Sequence, residues 1–519
     1  MRAVLSRFRP LLKQLPLLLA GGLTTLAYAP YTLWWLPLLS VALLVMAVQR
    51  ASSARQALLA GFSFGLGWFG VGVSWVHVSI AQFGGLPLAG SLGLMALLVG
   101  YLALYPALAA YLTFRLTRPA LLPLVFASCW ILAEWLRSVM LTGFPWLSLG
   151  YSQTEYGLHN FAPLIGETGI SFVLVFSAAA LAQLARPQAA LARYGYVLIA
   201  GLLFVIAPQL NALKGWNYTD NSLDVLLVQG NVKQELRWAP EQEWPTMLKY
   251  LDLTRPHFQT DLVIWPEAAI PQLEPLAESY LDNLNRAALY ADTAIISGIL
   301  DYNVKTQQAW NNLIVLGKRY ADSSDGDYFY GHGNRYSKHQ LLPIGEFVPF
   351  ESWLRKLAPI FDLPMSSFSR GAYVQPNLVA NGYHLLPAIC FEIAFPAQIA
   401  ANMTTDTQLL LTVSNDAWFG DSIGPHQHLQ IAQMRALEFG RPLLRATNTG
   451  ITAVVKPDGR ISKIAAQFSE TVLQDTVQLS SGQTPYARFG DLWLWLLSTA
   501  VLLFSAGLQL QKRLWQTKA

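Results

Sequence analysis

The sequence predicts a polytopic α-helical membrane domain of about eight spans, combined with one extracytoplasmic domain of layered α-β-β-α architecture. Of the 519 residues, 53% are hydrophobic and only 13% are charged, whereas soluble proteins contain roughly 25% charged residues. No Asp, Glu, Lys or Arg lies between Arg55 and Arg115, but charged residues recur at an ordinary density from about Asp220 to Asp475. In that second region, short β-rich segments alternate with helical ones. The chain therefore combines a lipid-embedded part with a water-soluble part.

Eight apolar segments are candidates to cross the bilayer as helices, which takes about 20 residues. They cover residues 12–28, 31–49, 57–78, 87–112, 119–139, 164–185, 195–212 and 492–510. The first and the sixth are short or interrupted. We therefore expect seven spans in residues 1–218, a soluble domain in residues 219–483, and an eighth span with a cytoplasmic tail in residues 484–519.

Basic residues are concentrated in every second connection between these segments, and they predict the orientation because basic loops remain in the cytoplasm. They are Arg2, Arg7, Arg9, Lys13, Arg50, Arg55, Arg115, Arg118, Arg186, Arg193, Lys512, Arg513 and Lys518. Both termini are therefore expected in the cytoplasm and the soluble domain outside. Ala27-Tyr28-Ala29 imitates a signal-peptide cleavage site, but Pro30 directly after it disfavours cleavage.

The overall composition excludes several classes of protein. A net charge of +4 is too small and too dispersed for a nucleic-acid partner. Two cysteines are too few for a disulfide scaffold, and the apolar content is too high for a disordered chain.

The soluble region contains strand candidates that end in polar residues. The candidate strands cover residues 223–228, 261–265, 293–299, 409–414 and 451–456, and the candidate helices cover residues 244–253, 277–290 and 426–439. This alternation is typical of layered α/β domains. One strand runs into Pro266-Glu267, the segment 385–389 runs into Cys390, and another strand runs into Asn415-Asp416. Because sites in such folds are built at strand ends, these positions are the first indication of function.

Cys390 is the only cysteine of the soluble region, since Cys129 lies in a membrane segment. Extracytoplasmic cysteines usually form disulfides, so an unpaired one is either an inert buried residue or a nucleophile. Three acidic or basic residues accompany it, namely Glu267 in WPEAAIP and Lys338 and Glu346 in RYSKHQLLPIGEFVPF. Each of these three, taken individually, is compatible with an ordinary surface charge.

The ordered motifs W-P-E, K-x-x-L-L-P-x-G-E-x-x-P and I-C-F-E resemble the nitrilase (carbon–nitrogen hydrolase) superfamily. A nitrilase-like domain between seven spans and one final span resembles, more closely, the bacterial apolipoprotein N-acyltransferase family. The resemblance covers almost the whole chain and includes SNDAWFG (414–420) and GPHQH (424–428). It implies an enzyme of the bacterial inner membrane, with its catalytic domain in the periplasm.

The resemblance also implies a catalytic triad of Glu267, Lys338 and Cys390. A free thiol has a pKa of about 8.5 and is mostly protonated at neutral pH, so Glu267 would act as the general base. Lys338 would favour the thiolate and then the oxyanion, assisted by the backbone N–H that follows Cys390. Glu346 would orient Lys338, and Glu392 and Asn311 match further positions around the site.

The implied reaction moves an acyl chain from a phospholipid to Cys390 and then to the α-amino group of a diacylglyceryl-cysteine apolipoprotein. Such ping-pong transfer through a thioester needs no metal and no organic cofactor. The expected partners are the phospholipid donor, the diacylated apolipoprotein acceptor and the membrane, with the enzyme itself a monomer. Two other functions remain open, a membrane-tethered extracytoplasmic amidase and a non-catalytic lipid sensor or transporter.

Several aromatic residues are candidates to contact the lipid substrates. Phe350 and Trp353 belong to an apolar stretch, 347–368, that is either buried core or an interfacial arm. Trp238 and Trp418 are further lid candidates. Glu134 and Arg137, near the end of a membrane segment, point to either a lipid entry path or a structural brace, because charges at such places are expensive.

The pair His426 and His428 has the appearance of a metal site but lacks a third ligand at a clear spacing. We therefore expect these histidines to lie on the surface or at a helix cap.

Overall fold

A computed structural model describes residues 13–83, 87–185, 190–322, 328–343, 345–347 and 368–516. The chain divides into two compact units, of which the second extends from Gly215 to Arg488 and the first comprises the residues on either side of it. These limits lie close to the expected boundaries at residues 218 and 483.

The described part of the first unit is built from helices. They are Leu15–Thr24, Leu36–Arg50, Ala54–Gly72, Val76–Phe83, Leu88–Leu116, Leu122–Val139, Ala162–Gln183, Ala190–Ile206 and Leu492–Gln516. Among the described residues, five helices are long and apolar enough to cross a membrane, and two shorter helices are also apolar. The predicted apolar helices are therefore present, whereas the number of eight spans stays a prediction.

The segment predicted as the third span, 57–78, is not one continuous helix. The helix Ala54–Gly72 ends where Val73 leaves the helical conformation, with φ −116° and ψ 24°. Gly65 of this helix faces the helix Leu88–Leu116, and a Cβ at Gly65 would lie only 2.7 Å from Cα of Ala103. Small residues allow helix backbones to approach closely, which is a main source of helix association in lipid.

The last helices of the first unit expose large apolar side chains. Leu198 is 73% exposed and Leu503 is 69% exposed. Leaving such groups in water is unfavourable by roughly 25 cal/mol per Å² of apolar surface. These surfaces are therefore suited to hydrocarbon rather than to water.

Glu134 and Arg137 form a structural brace. Both side chains are buried. The Arg137 guanidinium donates hydrogen bonds to the carbonyl oxygens of Phe144, at 2.7 Å, and Trp146. A carboxylate oxygen of Glu134 accepts from the backbone N–H of Leu149 at 3.0 Å. Of the two roles that the sequence left open, the contacts favour the brace, because both charges bind the turn that follows their helix.

The second unit contains two β-sheets and the helices that cover them. Its strands are β1 (Trp216–Gln229), β2 (Leu262–Ile264), β3 (Ile270–Leu273), β4 (Ala294–Asn303), β5 (Gln308–Gly317), β6 (Arg335–Ser337), β7 (Leu378–Ala380), β8 (Tyr383–Ile389), β9 (Leu409–Ser414), β10 (Leu443–Thr447), β11 (Ala453–Val455), β12 (Ile461–Ile464) and β13 (Thr471–Gly482). Its helices are Pro240–Thr254, Glu278–Tyr290, Pro396–Asn402, Gly424–Phe439 and, at its end, Pro485–Phe489. The strand order is β13-β1-β2-β4-β5-β6 in one sheet, with β3 beside β4, and β12-β11-β10-β9-β8-β7 in the other.

The two sheets pack face to face, and helices cover the outer side. Because successive side chains of a strand point to opposite faces, Val225 and Leu227 of β1 join the core between the sheets together with Leu411 of β9. Leu226, from the opposite face of β1, packs against Met247 of the helix Pro240–Thr254. This arrangement confirms the predicted α-β-β-α architecture.

The central strands of each sheet are parallel. In the first sheet β2 pairs in parallel with β1 and β4, and in the second β9 pairs in parallel with β8 and β10. The carboxyl ends of β8 and β9 therefore lie at one edge of their sheet, where Cys390 and Asn415 follow. This topology brings together polar residues that are distant in the sequence.

Candidate active site

The three predicted catalytic residues lie just beyond strand ends. Glu267 follows β2 after two intervening residues, Lys338 directly follows β6, and Cys390 directly follows β8. Glu267 and Lys338 are buried, at 8% and 2% exposure, and Cys390 is half-buried. The thiol of Cys390 lies within the electrostatic influence of both charged groups. The fold thus gathers the predicted triad into one place.

Lys338 is held between two carboxylates. Its Nζ lies 2.8 Å from Oε1 of Glu346 and 3.4 Å from Oε1 of Glu267. Burial by itself lowers the pKa of Lys338, but the charges of Glu346 and Glu267, together with Cys390, more than offset this effect and raise the pKa. The other carboxylate oxygen of Glu346 accepts from the backbone N–H of Leu342 at 2.8 Å. Lys338 is therefore a fixed cation at neutral pH.

Asn311, on β5, links the two carboxylates. Its Nδ2 donates to Oε1 of Glu267 at 2.8 Å and to Oε1 of Glu346 at 3.3 Å. The backbone carbonyl oxygen of Asn311 accepts from the backbone N–H of Lys338 at 2.9 Å. The second carboxylate oxygen of Glu267 accepts from the backbone N–H of Asn415 at 3.0 Å. Glu267 is therefore oriented through both oxygens by groups from two different sheets.

Cys390 occupies an unusual backbone conformation at the start of a short 3-10 helix, Cys390–Ala394. Its φ is +54°, in the left-handed region, which is strained for a residue with a Cβ and is often found at functional sites. Burial raises the pKa of its thiol to about 12. The charges of Glu267 and Asp416 act in the same direction, whereas Lys338 and a hydrogen bond with Ser414 lower the pKa. The resting thiol is therefore protonated and needs a base.

Glu392 fastens the end of β8 to the end of β6. Its carboxylate is fully buried. It accepts hydrogen bonds, all between 2.8 and 3.0 Å, from the backbone N–H groups of His339, Gln340 and Ile389, the hydroxyl of Tyr336 and Nε2 of Gln398. Because these donors flank both Lys338 and Cys390, Glu392 fixes the position of one relative to the other.

Two of the predicted aromatic lid residues fall within the described part of the chain. Trp238 is half-buried and lies under the Arg237 guanidinium, whose carbon is 5.6 Å from the centre of the ring. Arg237 also donates to the backbone carbonyl oxygens of Glu267 and Ala268, so the Trp238 loop is tied to the turn that carries Glu267. Trp418 is half-buried in the turn after β9. Phe350 and Trp353 lie outside the described residues.

His428 is neither a surface residue nor a helix cap, so the expectation from the sequence was wrong for this residue. It lies within the helix Gly424–Phe439 and is completely buried. Its Nε2 lies 3.1 Å from the backbone oxygen of Cys390 and its Nδ1 lies 3.1 Å from Oδ1 of Asp416. Asp416 is in turn paired with Arg445 at 2.6 Å. His426 is half-buried in the first turn of the same helix.

This buried network was missed because the helix is enclosed on nearly all sides. Polar residues on a helix normally mark its solvent face, and that rule fails for a helix surrounded by protein. The available signal was the concentration of polar residues in SNDAWFG and GPHQH, which carry Asp416 and His428. Although burial raises the pKa of Asp416, the charge of the Arg445 guanidinium outweighs it and holds that pKa well below its usual range.

Within the residues that the structure describes, no group of three or more His, Cys, Asp or Glu side chains is placed to hold a metal ion. The side chains gathered at the site supply a thiol, two carboxylates and an ammonium group.

Comparisons with known proteins match both units of the chain. The family model of the apolipoprotein N-acyltransferase N-terminal domain matches residues 20–180, and the carbon-nitrogen hydrolase model matches residues 225–485. A solved nitrilase-superfamily structure from Saccharomyces cerevisiae is 16% identical, with a TM-score of 0.36, and the match covers 50% of this chain and 90% of that one.

Curated relatives match over almost the full length. The chain is 47% identical over 510 residues to an apolipoprotein N-acyltransferase of Vibrio cholerae, covering 95% of this chain and 97% of that protein. It is 46% identical over 495 residues to one of Photobacterium profundum, covering 93% of each. It is 41% identical over 493 residues to one of Haemophilus influenzae, covering 94% of this chain and 93% of that protein. The chain therefore belongs to the apolipoprotein N-acyltransferase family.

Proposed function

We propose that this protein transfers an acyl chain from a membrane phospholipid, through a thioester on Cys390, to the N-terminal amino group of a diacylglyceryl-cysteine apolipoprotein. The observation that carries the proposal is the contact of Lys338 with both Glu267 and Glu346 beside the Cys390 thiol. Membership of the acyltransferase family favours this function over an amidase or a non-catalytic lipid sensor.

In the first half-reaction, Glu267 removes the proton from Sγ of Cys390 as the sulfur attacks the ester carbonyl carbon of the phospholipid. The oxyanion that forms is stabilised by the Lys338 ammonium and by the backbone N–H that follows Cys390. When the oxyanion collapses, the ester C–O bond breaks. Glu267 returns the proton to the lysophospholipid, which leaves as an alcohol.

In the second half-reaction, the neutral α-amino group of the acceptor attacks the thioester carbonyl. An amine attacks a thioester far more readily than an oxygen ester, so the thioester is a productive intermediate. Glu267 accepts the proton that the nitrogen loses and delivers it to the departing Cys390 sulfur. The products are the N-acylated lipoprotein and the free thiol.

Several elements around the site support the handling of lipid substrates. The half-buried Trp238 and Trp418 are proposed to contact the acyl chains. For Phe350 and Trp353, this role rests on the apolar sequence around them. We assign Glu346, Glu392 and Asn311 to holding the charged groups of the site, since each binds a triad residue or the backbone beside one.

We further propose that the protein is a multi-pass monomer of the bacterial inner membrane. The alternation of basic loops supports an orientation with both termini in the cytoplasm and the catalytic domain in the periplasm. A membrane-impermeant thiol reagent, applied to intact spheroplasts, tests this orientation at a cysteine introduced at the exposed Tyr290. Labelling only after lysis would contradict it.

The function is tested by incubating the purified protein with a phospholipid labelled in its acyl chain. We expect a hydroxylamine-sensitive label on Cys390, identified by mass spectrometry, that moves to the amine of an added diacylglyceryl-cysteine peptide. The variant Cys390→Ser is expected to take up no thioester label. Cys129→Ser, which alters the buried cysteine of the first unit, is the matched control and should be labelled normally. Absence of label on the wild-type Cys390 would overturn the proposal.

A further inference from the structure

The imidazole of His428 makes a direct contact with the backbone of the nucleophile. Its Nε2 lies 3.1 Å from the carbonyl oxygen of Cys390. A carbonyl oxygen only accepts hydrogen bonds, so this contact requires a proton on Nε2. The ring is fully buried and packs against the Phe419 ring in a T-shaped arrangement, with 5.8 Å between the centroids.

The partners on the other side of the ring select the same tautomer. Nδ1 of His428 lies 3.1 Å from both Nη2 of Arg445 and Oδ1 of Asp416. A guanidinium can only donate, so Nδ1 accepts from Arg445. The Asp416 carboxylate is satisfied by Arg445 at 2.6 Å and by the Ser414 hydroxyl at 2.5 Å. Burial and the charge of Arg445 both lower the pKa of His428, and together they outweigh Asp416, which raises it. A neutral ring protonated on Nε2 follows.

This hydrogen bond fixes the orientation of a whole peptide unit. The atoms of the peptide between Cys390 and Phe391 lie in one plane, and in the trans form the C=O and N–H point in opposite directions. A carbonyl held towards the buried His428 therefore turns the Phe391 N–H to the other side. The Cys390 backbone is in the strained left-handed region, so an external bond is needed to keep this peptide from rotating.

We propose that His428 is a positioning residue for acyl transfer, which aims the Phe391 N–H at the oxyanion by binding the Cys390 carbonyl. The proposal rests on the thioester mechanism proposed above. In that step Sγ forms a bond with the ester carbonyl carbon while the carbonyl π electrons move to oxygen. The Phe391 N–H stabilises this negative charge until the ester C–O bond breaks. His428 itself exchanges no proton and touches no substrate.

The proposal predicts different effects on two reactions of the same thiol. Acylation passes through an oxyanion, whereas alkylation by iodoacetamide is a direct displacement that forms none. Loss of the His428 donor should therefore slow acylation and leave alkylation nearly unchanged. A residue that merely supported the fold around Cys390 would affect both reactions in parallel.

Three variants of the full-length protein separate these outcomes. His428→Asn retains a polar group near the Nδ1 position but loses the Nε2 donor, whereas His428→Gln places an amide N–H near Nε2. Gln433→Leu is the matched control, because Gln433 lies on the same helix and donates a buried hydrogen bond to the Gly459 carbonyl at 3.0 Å. Each variant is assayed in detergent for thioester formation with labelled phospholipid and for alkylation of Cys390.

We expect His428→Asn to form the thioester about 100-fold more slowly than wild type, comparable to the loss of one oxyanion donor. Its rate of alkylation by iodoacetamide should stay within about threefold of the wild-type rate, because that reaction forms no oxyanion. His428→Gln should recover most of the acylation rate, and Gln433→Leu should acylate like wild type. The proposal would be overturned if His428→Asn formed the thioester at the wild-type rate, or if its alkylation rate fell in parallel with its acylation rate. If the wild-type protein itself forms no thioester, the proposed function fails instead, which is a distinguishable result.

Discussion

Replacing Lys338 with methionine tests the central electrostatic feature of the site. Methionine keeps most of the volume of the lysine stem but removes the ammonium group that lies 2.8 Å from Glu346 and 3.4 Å from Glu267. The buried carboxylate of Glu267 and the half-buried carboxylate of Glu346 then face each other without the cation between them. We expect both the stability and the acylation rate to fall, for reasons that can be separated.

The loss of stability follows from the burial of the ion pair between Lys338 and Glu267. Removing one partner of a buried ion pair costs about 3–5 kcal/mol. Protonation of one carboxylate limits this loss, and for a glutamate that titrates near 4.3 the protonation costs about 3.7 kcal/mol at pH 7. We therefore expect the free energy of unfolding to fall by about 3–4 kcal/mol at pH 7. Acylation of Cys390 should slow by about 10²–10³-fold, because the group proposed to stabilise the oxyanion is lost.

The pH dependence of this loss has a definite sign. The folded variant binds one proton that its unfolded form releases above about pH 4.3, so acid favours the folded variant. The stability deficit relative to wild type should shrink by about 2 kcal/mol between pH 7.0 and 5.5. Chemical denaturation in detergent at both pH values measures it. Other groups titrate alike in the variant and in the wild type, so their effect on the difference in unfolding free energy cancels to a first approximation.

Lys249→Met is the matched control for Lys338→Met. Lys249 pairs with Glu470 at a similar distance, 2.9 Å, but both side chains are partly exposed. Its removal should cost at most about 1 kcal/mol, with no dependence of the deficit on pH in this range. Equal, pH-independent losses for the two variants would refute the electrostatic account of Lys338.

Three further predictions concern the groups around the triad. Glu392→Gln should slow thioester formation by about 100-fold and lower the thermal midpoint, because the amide N–H₂ would face backbone N–H donors; unchanged acylation would contradict the role of Glu392. Because burial raises the pKa of the Cys390 thiol to about 12, its alkylation by iodoacetamide should keep accelerating from about pH 7 to 10, whereas a plateau near 8.5 would indicate an ordinary thiol. Asn311→Leu should reduce the rate of acylation by about tenfold, because Glu267 and Glu346 lose a shared hydrogen-bond donor worth about 1.5 kcal/mol. Normal single-turnover acylation by this variant would argue against a role of Asn311 in orienting the two carboxylates.

Much of the architecture follows from local patterns. Long apolar segments predicted most helices of the first unit, because a membrane span must satisfy its own backbone hydrogen bonds. The strand candidates at 261–265 and 409–414 became β2 and β9, because runs of apolar and β-branched residues suit buried strands. The break at Val73 was not predicted, because the segment 57–78 is apolar on both sides of it.

The site was only partly visible in the sequence. Glu267, Lys338, Glu346 and Cys390 were selected by their motifs, and the contacts now bring the first three into one charged cluster. The roles of Asn311 and Glu392 as connecting groups were not specified, because the side chain of each binds residues at least 35 positions away. Such pairings depend on strand order, which local patterns do not encode.

The sequence by itself determined that the chain has a lipid-embedded helical part, a layered α/β domain and an unpaired thiol at a strand end. Those properties depend on composition, hydrophobic periodicity and motifs, all of which are local. Only the tertiary structure decided that His428 lies against the Cys390 carbonyl, that Glu392 joins β6 to β8, and that Glu134 and Arg137 act as a brace. These properties arise because buried polar groups must find hydrogen-bond partners, and the fold determines which distant groups lie within reach.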